Sequence, residues 1–295
     1  MKLQLSNAPC SWGVEFADSE KNLPWTQVLD EISMAGYKAT ELGPLGYLPV
    51  DTGMLQESLA KRDLKIIAGT LFQHLHNKHK REEILEFTRR SCKLLAALNA
   101  KYMVVIDHVT APRTDQAGQI ATATRLDNSD WKAMMETIRQ ASDICLSHGI
   151  TPTLHPHTGT YIEYEDELDR AMQDLPSDLV SLCIDTGHCY YAGMQPQDII
   201  SKYADRVKYL HFKDINPQIH NSVVEHSTDF YSAISKGIFC PLGRGGVDFN
   251  AVRSTLERIG YQGWVTVEQD MDPEIDNNPL QNAINSRVFI EENFS

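Results

Sequence analysis

Long apolar runs are missing from this chain of 295 residues. No stretch approaches the roughly 18 apolar residues that mark a membrane-spanning helix. The opening Met1-Lys2-Leu3-Gln4-Leu5-Ser6-Asn7 lacks the apolar centre of a secretion signal, so neither a span nor a leader is expected. Positive charge is scarce: 27 Lys and Arg stand against 40 Asp and Glu, a net charge of -13. No run of Lys or Arg offers a groove to a phosphate backbone, which argues against nucleic acid and anionic membrane as partners. The six cysteines, Cys10, Cys92, Cys145, Cys183, Cys189 and Cys240, contain no Cys-x-x-Cys pair. That removes a zinc ribbon and a thioredoxin-like site from consideration. Scattered singly, they read as small buried residues of a cytoplasmic protein. Linkers, repeats and low-complexity tracts are absent too, and 42% hydrophobic with 23% charged residues is ordinary globular composition.

What is present is alternation. Short apolar runs at Leu3–Pro9, Ala39–Gly43, Leu64–Gly69, Tyr102–Asp107, Ile150–His155, Leu179–Asp185, Val207–Phe212 and Gly263–Glu268 read as strands. Helical patterns lie between them. Trp25–Ala35 stops at Gly36, Asp130–His148 at Gly149, and Phe249–Ile259 starts behind Asp248 and stops at Gly260. Glu82–Leu98 carries Ile84, Leu85, Thr88, Cys92, Leu95 and Leu98 at helical spacing. Strand and helix repeated eight times predict a (β/α)8 barrel, a TIM barrel, as one domain over 1–295. A doubly wound open sheet is the alternative, and the first strand is followed by no Gly-x-Gly-x-x-Gly to support it. An insertion at 216–246 carries a short helix over Thr228–Lys236, and a terminal helix is expected over 279–293. The aromatic and aliphatic content of the insertion implies that it packs on the barrel rim or on a partner subunit.

Period two along a barrel strand separates helix-facing from inward residues, and inward residues at the C-terminal end face the mouth. On the last four strands Leu154, Leu182, Ile184, Leu210, Phe212, Val265 and Val267 take one side. His155, Asp185, His211 and Glu268 take the other, each at a strand end. Two imidazoles and two carboxylates converging on one point form a mixed N/O donor set for Mn²⁺, Co²⁺ or Zn²⁺ rather than Ca²⁺. A single inward histidine is commonly a satisfied hydrogen-bonding residue; four at matching strand ends are a metal site. His157, two residues on and on the same side, is the alternative to His155 as the strand-five ligand.

Further polar groups crowd the rim: Glu41, Asp107 with His108, His188 in Asp185-Thr186-Gly187-His188, and Lys213-Asp214. Glu41 and Lys213 read equally well as partners of a rim ion pair. His108 is assigned the outward parity. Gly243-Arg244-Gly245-Gly246 is read as a plain turn with one cation, which an anion-cradling loop would also resemble.

Several of these motifs resemble a known group. Ile184-Asp185-Thr186-Gly187-His188, His211-Phe212-Lys213-Asp214 and Gly263-Trp264 leading to Val267-Glu268 are similar to the xylose-isomerase-like sugar isomerase/epimerase superfamily. His155-Pro156-His157-Thr158-Gly159-Thr160, Ser235-Lys236-Gly237-Ile238-Phe239, Gly243 through Phe249, Asp272-Pro273-Glu274, Ala8 through Gly13 and Thr40 through Gly43 resemble the inosose (2-keto-myo-inositol) dehydratases. The resemblance runs over nearly the whole chain. It implies a divalent metal, Mn²⁺ or Co²⁺ before Zn²⁺, on the last four barrel strands at His155, Asp185, His211 and Glu268. Where His155 stands, the wider superfamily usually has a glutamate.

The reaction so implied is loss of water from a cyclic polyhydroxy ketone, giving a diketone, in inositol catabolism. It needs a Lewis acid on the ketone, a base for the α proton and an acid for the departing β-hydroxyl. His157 or His188 is expected in one proton-transfer role and Glu41 or Lys213 in the other, with Trp12, Asp107 and Arg244 touching substrate. A ketose epimerase or isomerase would use the same metal with two bases. A repair endonuclease of this superfamily would need more ligands and a basic groove. A non-catalytic sugar-binding protein would have no need of four converging ligand-type residues. The expected partner is a small keto-polyol; a homo-oligomer is compatible with all of these.

Overall fold

The computed structural model describes residues 3–275 and 278–294. Eight parallel strands close into a barrel: β1 (Gln4–Asn7), β2 (Ala39–Glu41), β3 (Lys65–Gln73), β4 (Tyr102–Asp107), β5 (Thr151–Leu154), β6 (Ser181–Asp185), β7 (Val207–Phe212) and β10 (Trp264–Val267). Between β7 and β10 lie the short strands β8 (Asp214–Ile215) and β9 (Phe239–Cys240), which pair antiparallel. β1 closes the ring by pairing with β10 on one side and β2 on the other.

On the last four strands parity is the one expected. Leu154, Leu182, Ile184, Leu210, Phe212, Val265 and Val267 join the large apolar layer between barrel and helices. Cys183, Tyr209 and Trp264 join a smaller cluster inside the barrel with Ala68, Val104 and Ile106. This interior plug supports the mouth from below and leaves the inward residues above it to form a site.

The helices obey their sequence signals. Asp127 caps Asn128–Ser147 by accepting from Ser129 and Asp130 amides, and Asp248 caps Phe249–Arg258 by accepting from the Ala251 amide. The terminal helix spans Pro279–Asn293. It is tied down by Tyr37 Oη donating to the Ala283 carbonyl at 3.1 Å and by Arg287 Nε donating to the Ala35 carbonyl at 2.6 Å.

Two elements extend the reading. β3 continues past Gly69 to Gln73, carrying Thr70 and Phe72 up to the mouth. The insertion holds two helices, Pro217–Glu225 and Phe230–Ser235, where one was expected. Phe230, Ala233, Ile238 and Phe239 are buried in a cluster of their own with Tyr191 and Val223, so the insertion packs on the rim. No helix among the described residues is long and apolar enough to cross a membrane.

Candidate metal centre and the cavity above it

The loop after β6 shows why its sequence is built as it is. Asp185 Oδ1 accepts from the Gly187 and His188 amides at 2.7 and 2.8 Å, capping the helix Thr186–Tyr191. Thr186 Oγ1 donates to the Lys213 carbonyl at 2.7 Å and accepts from the Lys213 amide at 2.9 Å, zipping this loop to the end of β7. A Cβ on Gly187 would meet Lys213 Cγ at 2.7 Å, so only glycine lets the lysine stem pass. His188 Nε2 then meets the ammonium of Lys213 at 3.0 Å.

Capping occupies only one oxygen of Asp185. The other, Oδ2, is buried and without a hydrogen-bond partner. It lies 3.9 Å from His155 Nε2 and 3.9 Å from His211 Nδ1. His155 Nδ1 donates to the Pro156 carbonyl at 2.7 Å, which leaves Nε2 as the lone-pair nitrogen. His211 Nε2 meets Glu41 Oε1 at 2.9 Å, and the same oxygen accepts from Tyr209 Oη at 2.7 Å. That leaves His211 Nδ1 inward, 3.2 Å from Glu268 Oε2 but in no hydrogen bond. One donor atom from each of His155, Asp185, His211 and Glu268 falls within 4.8 Å of the others, and all four residues are buried. His155, Asp185 and His211 therefore each have the far atom anchored, and with Glu268 they turn a near atom to a common point. Lone pairs facing lone pairs in a buried site are costly unless a cation sits between them, and this donor set fits a divalent one. Burial holds His155 well below the usual imidazole range and pushes Asp185 up to about 6. Burial works against charge on His211 also, but Cys183, Glu268 and Glu41 around it outweigh that and raise it.

Above this point opens a cavity of about 680 Å³, lined by residues that include Cys10, Glu41, Phe72, His108, His157, Lys213 and Asp270. Lys213 Nζ contacts Asp270 Oδ2 at 2.8 Å, Glu268 Oε2 at 3.2 Å and Asp185 Oδ2 at 3.5 Å. Burial disfavours its charge, yet these carboxylates outweigh burial and raise it well above the usual lysine range. His157 Nδ1 donates to the Thr158 carbonyl at 2.8 Å, leaving Nε2 as its lone-pair nitrogen, and burial lowers it to about 4. Both nitrogens of His188 are engaged, Nδ1 with Thr158 Oγ1 at 2.9 Å and Nε2 with Lys213.

Three expected substrate contacts do not reach the cavity. Trp12 is fully buried in the outer apolar layer and donates from Nε1 to Glu31 Oε2 at 2.6 Å; Cys10 and Gly13 of the same turn face the cavity instead. Asp107 shares the parity of Met103 and Val105, the helix-facing one, and meets His76 Nδ1 at 2.8 Å. His108, given the outward parity from sequence, follows Val104 and Ile106 inward and lines the mouth. Arg244 is exposed and outside the lining. Its loop does cradle an anion, but the chain's own: Gly243 and Gly245 amides donate to Asp214 Oδ2 at 2.9 Å each, and Val247 donates to Oδ1 at 3.1 Å. Sequence reasoning also passed over Asp270 and His74. Asp270 continues the inward alternation of Thr266 and Glu268, and His74 that of Thr70 and Phe72, so the signal was there in both.

The profile of the xylose isomerase-like TIM barrel family matches residues 29–292. The chain is 30% identical over 271 residues to the inosose dehydratase of Geobacillus kaustophilus, covering 91% of this chain and 87% of that one. It is also 30% identical over 293 residues to the inosose dehydratase of Clostridium beijerinckii, covering 99% and 97%. The chain therefore belongs to the xylose isomerase-like TIM barrel family and, within it, to the inosose dehydratases. Among solved structures, the IOLI protein with a bound zinc atom superposes at a TM-score of 0.73 with 19% identity, over 99% of this chain and 98% of that one. The probable 3-DHS dehydratase AsbF of Bacillus anthracis gives 0.73 with 15% identity over 100% of both. These two likenesses are of fold.

Proposed function

We propose that this protein is a divalent-metal-dependent hydro-lyase that removes water from 2-keto-myo-inositol to give a diketone, as a step in inositol catabolism in the cytoplasm. The observation that carries the reading is the pair of buried atoms Asp185 Oδ2 and His211 Nδ1, neither in a hydrogen bond, turned to the same point as His155 and Glu268. It occurs on a chain related over its length to inosose dehydratases. His155, Asp185, His211 and Glu268 would hold the metal, with Mn²⁺ or Co²⁺ the best match to two imidazoles and two carboxylates. When bound, the cation supplies Lewis-acid polarisation of the ketone, which acidifies the neighbouring C–H.

The remaining roles fall to the chain. His157 is the base: it lines the cavity, is neutral, and keeps Nε2 free. Lys213 is the acid that protonates the departing hydroxyl, its ammonium held ready by Asp270. His188 and Glu41 are positioning residues. The former steadies Lys213 Nζ, and the latter fixes the ring of His211. The chemistry asks for one proton off carbon and one onto oxygen, and the site supplies a neutral imidazole and an ammonium for them.

The test is direct. Chelator-stripped protein reloaded with Mn²⁺ or Co²⁺ is incubated with 2-keto-myo-inositol, and the absorbance of the diketone is followed. Metal-dependent growth of that absorbance is expected; conversion to an epimeric ketose without loss of water would replace this reading with the epimerase one.

A further inference from the structure

Two histidines of the site follow β5, and they are held in different ways. The amide of His155 donates to the Val105 carbonyl at 2.9 Å, so this residue still hangs on the strand ladder. His157 lies beyond the ladder, in a tight turn. Its amide donates to the Ile162 carbonyl at 2.9 Å, and Thr160 Oγ1 donates to the His157 carbonyl at 2.8 Å. The turn passes through Gly159 in the left-handed region, at φ +79°. It also carries Thr158, whose Oγ1 meets His188 Nδ1.

A buried ion pair stands behind this turn. Glu163 Oε2 accepts from the Gly159 amide at 2.9 Å, and Oε1 accepts from the Gly118 amide of the loop after β4 at 2.8 Å. Arg113, from that same loop, brings Nη2 to 3.4 Å from Oε2. Arg113 is fixed in turn by both oxygens of Glu167, at 2.8 and 3.0 Å, and by the Thr124 carbonyl at 3.0 Å. Arg113 and Glu163 are fully buried, and neither lines the cavity. Burying such a pair is a poor source of stability, because desolvation of the two charges offsets the attraction and apolar side chains of similar volume serve as well. Apolar side chains cannot accept amides from two loops at fixed places.

We infer that Glu163, held by Arg113, is a positioning residue that fixes the turn 157–162 and with it the place of the His157 imidazole in the cavity. The inference rests on the proposed function for the base role of His157; the placing of the ring is independent of that role.

The experiment uses Mn²⁺-loaded full-length protein. Glu163→Gln keeps the shape but turns an N–H toward one of the two amides. Its crystal structure should show the His157 ring displaced and His155 in place, with metal affinity unchanged. With 2-keto-myo-inositol, kcat and deuterium uptake at the carbon next to the ketone should fall together at unchanged KM, by up to about 10²-fold, the cost of misplacing a reacting group by about 1 Å. Arg113→Met/Glu163→Leu guards against a failure to fold: it removes both charges and leaves Glu167 paired with Arg125. It should melt above either single apolar change and still show the displaced ring and the lowered kcat. A His157 ring in its wild-type place in any variant that folds, or metal affinity that falls in step with kcat, would overturn the inference. A displaced ring with wild-type kcat and uptake would leave the anchor standing and remove His157 as the base of the proposed function.

Discussion

Asp185 Oδ2 and His211 Nδ1 lie 3.9 Å apart, both buried and neither in a hydrogen bond. Backbone amides hold the rest of Asp185 and Glu41 holds the rest of His211, so neither group can turn away to find a partner. A cation bound between them would satisfy both.

Removing one of these ligands should cost metal and little else. Asp185→Asn keeps the oxygen that caps the helix Thr186–Tyr191 and removes a buried charge, so the metal-free variant should melt at or above the wild-type temperature. Its metal content after dialysis should be near zero, and Glu268→Ala should behave alike. Full occupancy in both variants, measured by mass spectrometry, would remove Asp185 and Glu268 from the ligand set.

Glu41 should act through His211. Glu41→Gln leaves the cavity's shape intact but exchanges a carboxylate for an amide against Nε2, and metal affinity should fall about 10–100-fold. Tyr209→Phe should move affinity in the same direction by less, because it removes a bond to Glu41 rather than to His211. A competitive titration against a chelating dye reads both.

The two proton-transfer roles separate by isotope. His157→Asn should keep the metal, lower kcat by about 10²–10⁴-fold and abolish deuterium uptake at the carbon next to the ketone. Lys213→Met should stop dehydration while deuterium uptake persists. His188→Asn should keep the metal and lower kcat less than Lys213→Met, since it only loosens Lys213. Uptake that survives in His157→Asn would assign the base elsewhere.

The insertion is tied across the mouth by Tyr231 Oη donating to Glu15 Oε1 at 2.8 Å. Burial pushes Glu15 up to about 7, above its ordinary value of 4.5, with Asp270 adding to the rise and the Tyr231 bond opposing it. A carboxyl raised on folding favours the folded form while protonated. That contribution is complete below about pH 4.5 and is lost as pH rises through 7. Amide protection across 228–239, taken relative to the intrinsic exchange rate at each pH, should therefore be lower at pH 8 than at pH 6, and Glu15→Gln should flatten the difference. Identical protection at both values in wild type would contradict the tie.

Polarity decided what could be read from sequence. On β5, β6, β7 and β10 aliphatic residues alternate with polar ones, so parity was visible and placed His155, Asp185, His211 and Glu268 together. On β4 both faces are apolar, Met103 and Val105 against Val104 and Ile106, so nothing marked the inward side and Asp107 was exchanged for His108. Trp12 sits in a turn, Pro9–Trp12, where period two does not apply. Arg244 failed for another reason: its loop is held by Asp214, through contacts between residues 29 and 31 positions apart that no local pattern announces.

Turnover should depend on a cation held by His155, Asp185, His211 and Glu268. Rate is measured against equivalents of Mn²⁺ added to chelator-stripped protein, with 2-keto-myo-inositol as substrate. The rate should start near zero, rise in proportion to metal and level off at one equivalent per chain, and Asp185→Asn should stay flat at the same concentrations. A stripped protein that turns over at the loaded rate, or an Asp185→Asn curve that follows wild type, would contradict it.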